Sequence, residues 1–120
     1  MDILVISSRD DLWQQLRPQF EARRAVLRIA ATLEEALSAL RSRKAALVVL
    51  DIGSDRVAIR NAVFSVLSVD AMIHTAAAVD MDPETFHDAM EGLGMLTALP
   101  LEPSAADVDG LMDALIRITA

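Results

Sequence analysis

Five times along the chain, a short apolar run gives way to a stretch whose apolar residues recur every three or four positions. This alternation limits the fold more than any other feature. The runs are Ile3–Ile6, Ala25–Ala30, Ala45–Leu50, Ala71–Ala76 and Met95–Leu99. The first and third are continuous, as in strands covered on both faces; a half-exposed strand would alternate with period two.

Helix-start signals follow each run. Ser8 with Asp11 three residues on predicts a capping pair, ahead of a helix carrying Leu12, Leu16, Gln19 and Phe20, which Pro18 should kink. Thr32 and Glu35 form a capping box for a second helix with Leu33, Ala36, Leu37 and Leu40 on one stripe, and Arg41, Arg43 and Lys44 complement the dipole at its end. A third helix is predicted over Val57–Leu67. Asp82-Pro83-Glu84 opens a fourth, with Phe86, Ala89, Met90 and Leu93 facing inward and a stop at Gly92 or Gly94. Ser104 and Asp107 open the last, whose stripe is Val108, Leu111, Met112, Leu115 and Ile116. The fold class predicted is α/β, a (βα)5 doubly wound parallel five-stranded sheet between helical layers, in one domain over residues 1–120.

Composition narrows the function. With no cysteine there is no disulfide framework, thiolate metal site or cysteine nucleophile, and the cytoplasm is the expected location. The start lacks a signal-peptide pattern, and no apolar run approaches the ~20 residues of a membrane span. The net charge is −7, and it is unevenly spread: residues 1–60 hold ten of the eleven Lys and Arg against eight acids, whereas residues 61–120 hold Arg117 against ten acids. An acidic second half argues against nucleic acid and suits a basic protein partner, or equally serves only to keep the surface solvated. A homodimer is a further form of partner.

Ligands of such sheets bind beyond the carboxyl ends of the strands, where Ser7, Ser8, Asp51, Thr75 and Leu99 fall. Asp51, directly after the most apolar run, can serve there as nucleophile, metal ligand or loop cap. Ser7-Ser8-Arg9-Asp10 contains no glycine, so no dinucleotide loop follows the first strand. His74 and His87 lack neighbours at metal-ligand spacing and read as structural or solvated; Ser7 and Ser8, without a partner base, read as caps. Met72, Met81, Met90, Met95 and Met112 read mainly as core filling.

Thr32-Leu33-Glu34-Glu35-Ala36-Leu37 followed by Leu47-Val48-Val49-Leu50-Asp51 resembles the second helix and third strand of the response-regulator receiver (CheY-like) family, and the element order matches over the whole chain. The resemblance implies a flavodoxin-like, CheY-like sandwich with Asp51 at the phosphoacceptor position. Receivers place two acids after the first strand to hold Mg²⁺, where this chain has Ser7-Ser8, and a Lys before a Pro after the fifth, where it has Leu99-Pro100. Leu96 stands at the switch-aromatic position. The fourth-strand Ser or Thr falls on Thr75, or on Ala77 by a gapless count back from Leu99. Phosphoryl transfer to a carboxylate gathers negative oxygens that need Mg²⁺ and a cation.

The expectation is therefore a pseudo-receiver: a non-enzymatic protein-interaction module of bacterial-type signalling, with no catalytic residue, no resident cofactor and no Mg²⁺. Its partner face, carried over from the family, would be the fourth helix, fifth strand and fifth helix, with Glu84, His87, Asp88 and Glu91 exposed. The alternatives are a phosphorylatable receiver using Asp51 and a flavodoxin-like small-ligand domain.

Overall fold

Leu47-Val48-Val49-Leu50 has no polar side chain to present to water, and it becomes the middle strand of the sheet. The structure, a computed structural model, describes residues 1–119. The strands are β1 (Asp2–Ser7), β2 (Val26–Ala30), β3 (Leu47–Asp51), β4 (His74–Ala78) and β5 (Thr97–Leu99), all parallel, in the order β2-β1-β3-β4-β5. β1 and β3 pair from Ile3 with Leu47 to Ser7 with Asp51, so the two polar residues finish side by side.

Strand alternation sorts the core into two clusters. Ile3, Val5, Leu47 and Val49 face α1 (Asp10–Glu21) and α5 (Ala105–Thr119), packing with Trp13, Phe20, Leu111 and Met112. Leu4, Ile6, Val48 and Leu50 face α2 (Leu33–Ser42), α3 (Arg56–Val69) and α4 (Pro83–Ala89), packing with Leu40, Ile59, Val63 and Phe86. The (βα)5 doubly wound sandwich is thus the observed fold, and no helix among the described residues is long and apolar enough to cross a membrane.

Several local readings are realised at atomic level. The Glu35 amide donates to Thr32 Oγ1 at 3.1 Å while the Glu35 carboxylate accepts from the Ala31 amide at 3.1 Å. Ser104 and Asp107 cap each other reciprocally at 2.8 and 3.2 Å. Thr85 donates its amide to the N-cap Asp82 at 2.8 Å.

Others are corrected. Ser8 does not cap α1: the N-cap is Arg9, without a side-chain cap, and it is Ser7 Oγ that accepts the Arg9 amide at 2.9 Å. Pro18 lies inside α1, which continues through it to Glu21. β4 begins at His74 instead of Ala71, since Asp70 folds a turn by accepting the Met72 amide at 2.9 Å. α4 ends at Ala89, and the following segment uses Gly92 and Gly94 at φ +86° and +65°, leaving β5 only three residues. Ile116 lies outward on α5, 38% exposed.

Candidate functional site

β3 delivers Asp51 to the carboxyl end of the sheet on the face covered by α1, and its side chain there is 3% exposed. A buried carboxylate is costly unless its lone pairs are filled. Here four hydrogen bonds reach it, three at Oδ2 and one at Oδ1. Ser7 Oγ donates to Oδ2 at 2.6 Å, Trp13 Nε1 to Oδ2 at 2.9 Å, Arg9 Nε to Oδ2 at 3.0 Å and Arg9 Nη2 to Oδ1 at 2.8 Å. The two Arg9 bonds make a fork-to-fork pair, the geometry in which guanidinium and carboxylate match best.

Each partner arrives for a local reason. Ser7 is the last residue of β1, in register with Asp51. Arg9 holds the bend between β1 and α1, and Trp13 lies one helical turn further on, so both reach the same strand end. Burial pushes the Asp51 carboxyl up, but the hydrogen bonds from Arg9, Ser7 and Trp13, with the Arg9 charge, outweigh it and hold the group below its ordinary value of 3.8.

Arg9 also ties the site to the far edge of the sheet. Its Nη2 donates to the Leu101 carbonyl at 2.6 Å and its Nη1 to Glu102 Oε1 at 2.6 Å. One side chain therefore joins the loops after β1, β3 and β5. Hydrogen bonding to Asp51, ahead of the cost of burial, raises the Arg9 pKa, so the cation is permanent.

The residues singled out from sequence fare differently. Ser7 is bound to Asp51 as described. Ser8 is exposed and lines a shallow pocket of about 400 Å³ with Arg9, Asp51, Gly53 and Leu101. Thr75 does not belong to the site: it pairs with Val48, three residues before Asp51, and by alternation lies on the opposite face from it. Ala77, paired with Leu50, is the β4 residue near the strand end, as the gapless count had it. Leu99 is buried in the cluster that holds Trp13 and Met112 and does not line the pocket. Glu84, His87 and Asp88 on α4 and Glu91 just beyond it are all exposed, and none of them lines the pocket beside Asp51.

Sequence reasoning missed Arg9 and Trp13. A signal existed for the second, because a buried indole N–H needs an acceptor and this is the one Trp in the chain.

The residues do not fit Mg²⁺. A hard cation wants several oxygens, preferably ionised, yet the one carboxylate here already meets a guanidinium and two neutral donors. Asp10 and Asp11 are exposed in the first turn of α1, and among the described residues no three His, Asp or Glu side chains gather where they could hold a metal. What the arrangement does chemically is bury a fixed, neutralised ion pair.

No protein-family model matches the sequence, and no curated protein matches it significantly. Solved structures do. A two-component response regulator from Clostridium difficile superposes with a TM-score of 0.78 at 16% identity, over 99% of this chain and 98% of its own. A CpaE2 pilus assembly protein from Sinorhizobium meliloti gives 0.75 at 13% identity over 96% and 99%. An orphan response regulator of H. pylori gives 0.74 at 17% identity over 96% and 96%. At such identities the likeness speaks for the fold, and with the strand order, the two helical layers and the placement of Asp51 it shows that this chain has the response-regulator receiver fold.

Proposed function

We propose that the chain is a pseudo-receiver, a non-enzymatic module that works through protein contacts without aspartyl phosphorylation. The observation that carries this reading is the bidentate pairing of Asp51 with Arg9: each carboxylate oxygen accepts from the guanidinium, and Oδ2 accepts from Ser7 and Trp13 as well. In-line attack needs a free carboxylate oxygen and a cation on the phosphoryl group. Here the cation is spent on the nucleophile.

The contact surface is α4 with β5 and α5. β5 is an edge strand, and between it and α4 lies a groove of about 660 Å³ lined by Phe86, Met90, Met95, Leu96 and Ala98, with His87 and Glu91 at the rim. An unpaired strand edge beside apolar surface suits an added peptide segment, and the acidic rim favours a basic one.

Incubation with Mg²⁺ and a small acyl phosphate, followed by intact mass measurement, tests the reading. The mass is expected to stay unchanged. An added phosphate on the wild type that Asp51→Asn abolishes would overturn it.

A further inference from the structure

Beyond Arg56 in its first turn, the outer face of α3 carries no charge. Val57, Asn61, Phe64 and Ser68, spaced four, three and four apart, form one stripe pointing away from the buried Ile59, Ala62, Val63 and Val66. Val57 is 67% exposed and Phe64 54%, and Met72 in the turn beyond is 82% exposed. The other two Phe of the chain are buried. The serine hydroxyls turn back on the helix: Ser68 donates to the Phe64 carbonyl at 2.8 Å and Ser65 to that of Asn61 at 3.0 Å. Single exposed apolar residues are ordinary, but a stripe running about 17 Å along a helix is not.

The flanks of this stripe carry opposite charges over their second halves, since α2 opens with the exposed Glu34 and Glu35 and turns basic only at its end. On one side is α2, where Arg41 lines the groove it shares with α3 and Lys44 stands exposed just beyond the helix. On the other is α4, joined to α3 by Arg60 Nη1 donating to the Ala89 carbonyl at 3.1 Å, with Glu84 and Asp88 exposed and no Lys or Arg from 82 to 91. Each helix returns from the carboxyl end of one parallel strand to the start of another, so the three run the same way.

We propose that this face is a homodimer interface, with a second copy of the chain as its occupant. Rotation by 180° about an axis along α3 sets the two stripes face to face, with Phe64 near its counterpart. The same rotation lays Arg41 and Lys44, at the end of α2 in each copy, over Asp88 and Glu91, toward and just past the end of α4 in the other. A row ordered basic, apolar, acidic is its own complement under that operation, as an isologous interface requires. Elsewhere two copies of a chain of net charge −7 repel. Glu34 and Glu84 approach each other near the start of α3, and Arg56 of both copies lies between them.

The layer of three helices covers on the order of 600 Å² per copy, taking about 20 Å of length and about 10 Å between axes. Stable interfaces use about 800 Å² per partner, so this one falls at the small, readily dissociating end. It does not depend on the state of Asp51, and its failure would leave the pseudo-receiver reading intact.

Sedimentation velocity from about 1 μM to about 1 mM tests it. The weight-average mass should rise from one chain toward two. Phe64→Lys, at an exposed position and checked by circular dichroism for unchanged fold, should remain at one chain throughout. Arg41→Glu with Lys44→Glu should weaken association at least tenfold, and adding Asp88→Lys with Glu91→Lys should restore it. A wild type that stays monomeric, including one whose α3 face is covered only by a different protein, overturns the proposal. So does a dimer that survives Phe64→Lys, or one that the double charge swap leaves weakened.

Discussion

Asp51 stays ionised in a buried place because Arg9 reaches it with two bonds and Ser7 and Trp13 add two more at Oδ2. Breaking such a set costs more than its net worth, since the partner left behind remains buried. Arg9→Ala should therefore lower the unfolding free energy by about 1–3 kcal/mol in urea titration, discounted from the fully buried case because the arginine is about one-third exposed. The depressed Asp51 pKa fixes a sign. Its stabilisation is complete above the unfolded value of 3.8 and is lost as pH falls through the lower folded value. The wild-type urea midpoint should accordingly fall below about pH 4 more steeply than that of Asp51→Asn. Asp51 was legible in the sequence because it ends the most apolar run. Arg9 was not, because nothing local distinguishes a solvated loop arginine from one folded back on a strand end.

At the scale of elements, the helix starts were the readable part. Thr32 with Glu35, Asp82-Pro83, and Ser104 with Asp107 all act where local chemistry places them, because a cap satisfies amides within four residues of itself. Ser104→Ala should cost about 1 kcal/mol, read from a thermal melt, with the loss confined to α5 in hydrogen exchange. The ends of α4 and β5 were misjudged for the complementary reason. Met90 and Leu93 are buried as the helical stripe required, yet they are held by a glycine-rich turn past Ala89 instead of by further helix. Burial at helical spacing does not by itself prove a helix. The late start of β4 removed Thr75 from the strand end for a similar reason, a turn at Asp70 that uses up residues counted as strand.

Across the whole molecule, two apolar clusters share one sheet, with β1 and β3 contributing alternate residues to each. Neither layer can come away without exposing the strands that carry the other, so unfolding should be a single cooperative event. Trp13 makes this measurable: it is fully buried beside Asp51 on the α1 and α5 face, and its fluorescence should follow the same urea curve as the far-UV dichroism of all five helices. Two separated transitions would show that the layers are independent. Arg9 adds a tie of its own by joining the loop after β1 to Asp51, Leu101 and Glu102.

The sequence by itself determined the alternation of strands and helices, the parallel sheet and the position of Asp51 at a strand end, because hydrophobic period, caps and burial on both faces are properties of neighbouring residues. The tertiary structure alone decided what Asp51 meets. Its partners come from the end of β1, a loop and a helix, 38 to 44 residues away, and their convergence depends on strand register and on the angle at which α1 leaves the sheet. Where the sequence showed only that Ser7-Ser8 end β1, the fold pairs Asp51 with the Arg9 guanidinium, since a buried carboxylate has to be neutralised by whichever donor the fold brings within reach.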